Sequence, residues 1–319
     1  MYKNIIKKGL LFATLSVATS LVASAQVAAP HRLFELNPDV ASHALGGTHL
    51  VTNSNNYIYA NPTNIFRAEK SFTLYVSGEY LPKFADMKRE SFGSLSAGYR
   101  FNERHALFAG LRMLSGLKLN RVNDLGTETE ERLLRPSQMT FDAGYAFAFS
   151  ENISAFATLS MLRSTTGQQT QSFFAGVGVN YTRTLQWMGK ETHFRTTLAG
   201  YNLGEDVDFG KGMSYRLPST VALGLGATME LTENQSLGLQ AQVARITSYS
   251  DTQLGAGVEY SFLKMFSLRG GYQYYDKDVS FASVGAGLTI GRNVLGVAYR
   301  IGMGEYTKNS IACSFSINF

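Results

Sequence analysis

The last ten residues of the chain show the pattern that recurs along most of its length. From Ser310 to Phe319 every odd position is apolar except for the thiol of Cys313, and every even position is small or polar. A period of two predicts a β-strand with one apolar and one polar face. About ten residues is the length of a tilted strand that crosses a bilayer, whereas a soluble strand is usually ~5–6 residues long. One such strand is also compatible with the edge of a soluble sandwich.

The same alternation recurs in fourteen segments, and the slip of phase near Leu198–Ala199 predicts a β-bulge. The segments are 70–80, 91–101, 105–114, 137–149, 153–162, 172–182, 192–203, 216–230, 235–246, 252–262, 265–274, 281–290, 294–302 and 310–319. Their apolar faces are large and their other faces small and polar, the inverse of a soluble sheet. We therefore predict an all-β fold, a 14-stranded antiparallel transmembrane β-barrel with the even strand number of bacterial outer-membrane proteins.

The connections between these segments alternate in length. Tight links fall at 102–104, 150–152, 231–234, 263–264 and 291–293, with a longer exception at 183–191. The other links are mostly longer and more polar, such as 115–136. Outer-membrane barrels have short periplasmic turns and long external loops, so we expect the tight links to face the periplasm. We also expect the terminal aromatic Phe319 to pair with the first strand and close the barrel.

The chain opens with the features of an exported protein. Lys3, Lys7 and Lys8 precede a mostly apolar stretch that ends at Ala23-Ser-Ala25, so residues 1–25 are predicted to be a signal peptide. Its removal takes three lysines from a net charge of +5, and nothing in the remainder indicates nucleic-acid binding. Together with the alternating segments, this predicts a multi-pass barrel in the outer membrane of a Gram-negative cell, in contact with lipid.

Residues 26–69 do not alternate and are predicted to be a separate segment before the barrel of residues 70–319. They combine a short helical pattern with Gly and Asn turns, and apolar residues such as Leu45, Tyr57 and Ile65 require burial. We predict a small N-terminal hatch, or plug, inside the lumen; the alternative is a disordered periplasmic tail.

Charged residues on the polar phase are predicted to face the lumen, because on the lipid face each would cost up to about 2–4 kcal/mol near the midplane. They are Glu79, Arg100, Arg112, Asp142, Arg195, Glu259, Arg269 and Arg300. We expect them to pair with one another and with the hatch. A conductive polar pore is the alternative.

Two short motifs in the hatch carry a family resemblance. Ala44-Leu-Gly-Gly-Thr48 and Ala60-Asn-Pro-Thr63, separated by an asparagine-rich spacer, resemble the N-terminal motifs of the PorV/PorQ family of Bacteroidetes, within the wider FadL-like group. Gly46, Gly47, Asn61 and Pro62 are the hatch residues that match. Thr63 replaces the usual Ala, and 53–56 lacks the acidic residues common there. The resemblance implies a fourteen-stranded barrel with a hatch and a role in type IX secretion.

These features leave three candidate functions. The first is a protein-binding component of type IX secretion or surface attachment, with secretion-machinery or cargo proteins as partners. The alternative is a FadL-like channel for a hydrophobic small molecule, which an apolar lumen pocket and a lateral gap would mark. A barrel enzyme is the third, but no catalytic triad, Gly-x-Ser-x-Gly motif or metal-ligand spacing stands out, so we predict neither an enzyme nor a cofactor or metal site.

Overall fold

The computed structural model describes residues 32–82, 90–115, 119–122, 128–134, 136–166, 168–208, 214–275, 279–304 and 307–319. The predicted signal peptide lies outside the described residues.

Fourteen antiparallel strands form one closed barrel, as the alternation predicts. They are β1 (Phe72–Tyr80), β2 (Ser91–Arg100), β3 (His105–Ser115), β6 (Ser137–Ala148), β7 (Ile153–Thr166), β8 (Gln168–Trp187), β9 (Lys190–Gly204), β12 (Thr220–Thr232), β13 (Gln235–Ile246), β14 (Asp251–Phe262), β15 (Phe266–Tyr274), β16 (Phe281–Ile290), β17 (Asn293–Gly302) and β18 (Ser310–Asn318). Each strand pairs with its neighbour along the chain, and β1 pairs with β18.

Two further hairpins stand outside the barrel sheet. They are formed by β4 (Leu119–Val122) with β5 (Glu128–Leu134) and by β10 (Val207–Asp208) with β11 (Ser214–Tyr215). Both lie within long links of the sequence, where no strand is predicted. We call the barrel end that carries the long links the loop end, and the opposite end the turn end.

The two faces of each strand differ as the alternation requires. In β1, Thr73, Ser77 and Glu79 are buried towards the lumen, while Leu74 and Val76 are exposed on the outside. The outer face of the barrel carries exposed large apolar side chains on its strands, among them Leu95, Leu107, Phe141, Leu159, Phe173, Val177, Leu198, Leu225, Leu239, Val258, Leu268, Val284, Leu295 and Phe315. This is the distribution that stabilises a barrel in lipid.

The barrel closes at its terminal aromatic residue, as predicted. The Phe319 amide donates to the Phe72 carbonyl at 2.8 Å, and the Phe72 amide donates to the Phe319 carbonyl at 3.1 Å. Their rings pack with centroids 5.9 Å apart at the turn end. Between β1 and β18 the ladder runs from Thr73 opposite Asn318 to Tyr80 opposite Ile311, so neither terminal strand leaves an open edge there.

The predicted bulge is confirmed in β9, the seventh strand of the barrel, and it lies slightly later in the sequence than expected. Ala175 pairs with Leu203 and Val177 pairs with Gly200, so Tyr201 and Asn202 together stand opposite one residue of β8. Asn202 has a left-handed backbone (φ 56°). An Asn side chain tolerates that conformation, and the extra residue produces the shift of phase in the sequence.

The predicted long link at 183–191 is wrong, because the strands continue through it. β8 extends to Trp187, β9 begins at Lys190, and the turn consists of Met188 and Gly189 alone. Both turn residues have positive φ, 53° and 72°, as in the two-residue turns that match the twist of a hairpin.

The hatch lies in the lumen, as predicted, and its described part is residues 32–69. It contains α1 (Arg32–Glu35), α2 (Val40–Ala44) and the 3-10 helices η1 (Tyr57–Tyr59) and η2 (Pro62–Arg67). The chain runs from the loop end, where α1 lies, past β15–β18 and down to the turn end, where η1 and η2 contact β2, β3 and β6. No helix among the described residues is long and apolar enough to cross a membrane.

The lengths of the links predict the orientation. An epitope inserted at Ser248 in the β13–β14 link should be labelled by antibody on intact cells, because this link lies at the loop end. The same epitope at Glu151, in the β6–β7 turn, should be labelled only after the outer membrane is ruptured. The reverse pattern, at matched levels of folded protein, would place the turn end outside.

Candidate functional site: the hatch and the barrel lumen

The loop end of the lumen holds the largest apolar cluster among the residues that the structure describes. Hatch residues Leu33 and Leu36 pack there with side chains from the wall and loops. We call this the loop-end cluster; its members are Leu33, Leu36, Leu81, Phe92, Leu114, Leu162, Phe174, Val207 and Leu217. Each is at most 5% exposed. The seven members outside the hatch pack around Leu33 and Leu36, and we call the apolar space that these two hatch side chains occupy the chamber.

Helix α1 is held in the loop-end cluster by polar contacts around its apolar side chains. The Leu33 amide donates to Gln138 Oε1 at 3.0 Å, and Arg32 pairs with Glu90 at 3.1 Å. The Phe34 ring meets Phe174 edge to face at 5.2 Å between centroids. The helix has a single turn, so these contacts and not its own propensity fix its position.

The Gly-Gly motif of the hatch presses its backbone directly against the barrel wall. Gly46 and Gly47 have left-handed backbones (φ 66° and 77°), which a residue with a side chain rarely adopts. A Cβ on Gly46 would stand 2.6 Å from the Ala256 carbonyl oxygen, and a Cβ on Gly271 of β15 would overlap the Gly46 amide nitrogen. The Gly46 amide also donates to Ser283 Oγ at 3.2 Å. The Gly-Gly motif of the hatch therefore packs against a second pair of glycines, Gly270-Gly271 of β15.

The Asn-Pro motif caps η2 and joins it to β9. Asn61 Oδ1 accepts from the Thr63 amide at 3.0 Å, and Pro62 opens the helix, where no amide proton is needed. The Asn61 amide nitrogen donates to the Leu50 carbonyl at 2.7 Å and to Thr197 Oγ1 at 3.1 Å. Asn61 is fully buried, so each of these bonds replaces one with water.

Below the loop-end cluster, Arg112 and Asp142 form an ion pair across β3 and β6. Arg112 Nη2 lies 3.3 Å from Asp142 Oδ1, and Tyr59 of the hatch donates its hydroxyl proton to Asp142 Oδ2 at 2.6 Å. The guanidinium lies 4.9 Å from the centre of the Tyr59 ring. The pair therefore fixes the hatch tyrosine from two sides.

A second charged group contacts helix α2. Arg300 Nε donates to His43 Nε2 at 2.9 Å, and Arg300 Nη2 lies 3.7 Å from Glu79 Oε1, which also accepts from Ser310 at 2.6 Å. Among the described residues, two buried side-chain nitrogen or oxygen atoms have no hydrogen-bond partner, and both lie here: His43 Nδ1 and Glu79 Oε2. Because His43 Nε2 accepts from a guanidinium, the imidazole must be neutral with its proton on the unpaired nitrogen.

The other predicted lumen charges lie at separate places along the wall. Glu259 and Arg269 form an ion pair with each other at 2.5 Å. Arg100 donates to the Phe66 carbonyl at 3.2 Å and Arg195 to the Val51 carbonyl at 3.0 Å, so both bind the hatch backbone. The eight charges thus form no single site.

Sequence reasoning missed the neutral residues that also hold the hatch. Gln242 accepts from the Leu50 amide at 3.0 Å and Gln240 from Thr52 Oγ1 at 2.8 Å, while Gln138 holds α1. Their polar phase predicts that they face the lumen, but a neutral glutamine among apolar neighbours gives no sign of its partner.

The turn end of the lumen holds a cavity of about 240 Å³. Its lining includes Glu230, Ser261, Lys264, Phe266 and Thr289 at the ends of β12–β16, and no described hatch residue takes part in it. This cavity lies at the opposite end of the barrel from the loop-end cluster.

Several solved structures share the fold of this chain. The chain is similar to the toluene transporter TodX of Pseudomonas putida (TM-score 0.59, 12% identity, 88% of this chain and 98% of that one). It is also similar to the monoaromatic hydrocarbon channel CymD (TM-score 0.56, 12% identity, 89% and 98%). A FadL homologue of Pseudomonas aeruginosa gives a TM-score of 0.51 at 12% identity, with 88% and 98% covered.

No protein-family model matches the chain, and no curated protein matches it. At 12% identity the structural likeness shows a common fold. A closed barrel of fourteen antiparallel strands with an apolar outer face is the architecture of outer-membrane proteins, and this chain is a multi-pass barrel of that membrane.

The contact between Gly46 and Gly271 predicts which substitution releases the hatch. Gly271→Ala should displace the hatch, because overpacking costs about 1–3 kcal/mol and the nearest atoms are backbone. Conductance in planar bilayers should rise about fivefold or more, the factor that ~1 kcal/mol gives. Gly270→Ala is the matched control, since no atom lies within 4 Å of its Cβ. Equal conductance of the two folded variants would contradict the contact.

The buried histidine predicts a dependence on pH. Burial, reinforced by the Arg300 charge, lowers the pKa of His43 well below its usual range, and burial also lowers the pKa of His49. A histidine exposed by undocking has a pKa of ~6.5, whereas the docked histidine resists protonation. Docking of the hatch is therefore unaffected above pH ~6.5. Below that pH it weakens by up to about tenfold per pH unit. Conductance should therefore rise on acidification. His43→Gln should remove most of this rise and His49→Gln a separate part; an unchanged profile in both would contradict the prediction.

Proposed function

We propose that the protein is an outer-membrane channel for hydrophobic small molecules, gated by its hatch. The observation that carries the proposal is the loop-end cluster: an apolar chamber at the mouth of the lumen, occupied by two side chains of the hatch. A hydrophobic solute gains about 25 cal/mol for each Å² of apolar surface that it buries in such a chamber. The names of the structural neighbours, a toluene transporter and a monoaromatic hydrocarbon channel, support the same class of solute.

The hatch gives the proposed channel its gate. Leu33 and Leu36 occupy the chamber, so a solute and helix α1 compete for the same apolar surface. Because α1 is a single turn held by a few contacts, its withdrawal requires less reorganisation than that of the glycine-packed segment around Gly46. The cavity at the turn end then lies on the far side of the hatch from the entry chamber.

A second candidate function rests on the hatch motifs and on a loop. Membership of the PorV/PorQ family and a role in type IX secretion remain predictions from residues 44–48 and 60–63. The β4–β5 hairpin favours this candidate, because it adds to the loop end a two-stranded sheet, separate from the barrel sheet, to which another protein could bind. Both candidates use the same barrel, and neither uses catalysis.

Uptake of toluene tests the channel. A deletion strain should take up labelled toluene more slowly than the same strain with the protein restored. Leu162→Asn should lower the restored rate about tenfold, because a buried amide without a partner costs roughly 1–3 kcal/mol. Leu162→Met, which keeps the site apolar, should preserve it. Permeation of a small hydrophilic solute, measured in parallel, distinguishes a variant that has lost the apolar chamber from a variant whose hatch is displaced.

Equal uptake with and without the protein would contradict the channel. Replacing residues 119–134 with a short Gly-Ser linker then decides the second candidate. If secretion or surface anchoring of proteins fails in this variant while the barrel still folds, as judged by its heat-modifiable migration, the protein-binding role is supported. Toluene uptake should be unchanged in it if the channel proposal is correct.

A further inference from the structure

The β8–β9 hairpin projects from the turn end beyond its neighbour on one side. The Thr182 amide donates to the Asn152 carbonyl at 2.8 Å, and β7 begins at Ile153, so the β7 side of the ladder ends here. β8 nevertheless continues to Trp187, pairing with β9 up to the Trp187–Lys190 pair. We call residues 183–192 the ribbon. Its five further β8 residues correspond to roughly 17 Å of strand, or about 12 Å along the membrane normal at the usual tilt.

The two faces of the ribbon differ in character. Thr184 and His193 on the inner face are joined by a hydrogen bond of 2.8 Å, and His193 lies 3.6 Å from Glu191. The outer face carries Leu185 and Trp187, which are 41% and 47% exposed, on the same side of β8 as Tyr181 and Val179. The ribbon thus keeps the lipid-facing alternation of the barrel after the barrel wall beside it has ended.

Basic residues accompany the apolar ones on this outer face. Arg183 precedes Leu185 in the same phase, and Lys190 is paired with Trp187 across the hairpin. The Lys190 ammonium also donates to the Leu231 carbonyl at the end of β12, which braces the ribbon on its other side at 2.8 Å. By contrast, the neighbouring β6–β7 and β12–β13 turns have polar tips, Ser150–Asn152 and Glu233–Asn234.

We propose that the outer face of the ribbon is a binding surface for anionic phospholipid in the leaflet at the turn end. Trp and basic side chains are the residues that bind at a membrane interface, where indole lies among headgroups and Arg or Lys contacts phosphate. The headgroup layer is about 5–8 Å thick on each side, so with β7 ending about 4–7 Å inside the hydrocarbon core, a ribbon of this reach carries Trp187 into the headgroups and not past them. Two features favour phospholipid, and not a protein partner or water, as the contact of this face: the face continues the lipid-facing wall of the barrel, and it carries basic charge. The ribbon anchors the strand pair that also carries the bulge at Tyr201–Asn202.

Trp187 is the only tryptophan of the chain, so its fluorescence reports on the ribbon alone. The full-length protein is reconstituted in vesicles of phosphatidylcholine and phosphatidylglycerol whose chains carry bromine near the headgroup. Two references are made in a Trp187→Phe background: Glu151→Trp at a polar turn tip for water, and Val177→Trp on the lipid face of β8. A third variant in that background, Leu185→Trp, samples a point nearer the barrel.

We expect Trp187 emission to be blue-shifted and quenched by brominated lipid well beyond the Glu151→Trp reference, and Leu185→Trp to approach the Val177→Trp reference. Quenching by brominated phosphatidylglycerol should exceed quenching by brominated phosphatidylcholine. Arg183→Gln and Lys190→Gln should each reduce that preference by up to about fivefold. If Trp187 and Leu185→Trp both match the water reference, the ribbon lies in solvent and the proposal fails. If quenching shows no preference for the anionic lipid in the wild type and in both glutamine variants, the proposed role of Arg183 and Lys190 is contradicted.

Discussion

The structure depends on the pairing of every backbone polar group inside a membrane. A bilayer offers no water to an unpaired amide or carbonyl, so a spanning sheet has to close on itself. Here the closing contact joins Phe72 and Phe319, and the ladder between the first and last strands continues to the loop end. The alternation of side chains follows from the same closure, since each strand then has one face towards lipid and one towards an enclosed lumen.

Closure creates a second requirement, because an enclosed polar lumen must be filled or left conductive. The hatch fills it, and does so with two kinds of contact. Along its path it uses hydrogen bonds and close backbone packing against the wall, as at Asn61 and Gly46. At the ends it uses apolar clusters, around Leu33 at the loop end and around Tyr57 and Ile65 at the turn end. A hydrogen bond exchanged for water changes stability by only about 0.5–1.5 kcal/mol, so the polar contacts that hold α1 oppose its withdrawal only weakly.

The proposed channel and the proposed lipid surface use opposite faces of one wall. Phe174 of β8 lines the loop-end cluster, and Trp187 of the same strand ends the ribbon on the lipid side. Between them β9 carries the bulge at Asn202, the irregularity of the wall nearest the chamber. Fixing the ribbon in the headgroup layer would hold this part of the wall while the hatch moves, since the strand pair is continuous from one end to the other.

The sequence by itself determined the class of fold, the strands and the faces of their residues, because a period of two is local and needs no knowledge of neighbours. It placed Glu79, Arg112 and Asp142 in the lumen for the same reason. Only the tertiary structure decided which of them meet: Arg112 pairs with Asp142 and contacts Tyr59, whereas Glu79 shares Arg300 with His43. The sequence also did not predict the contact of Gln242 with the hatch, the Gly46–Gly271 contact or the apolar chamber. All three depend on the path of the hatch through the barrel. That path is set by many weak contacts between residues far apart in the chain, and no local pattern records them.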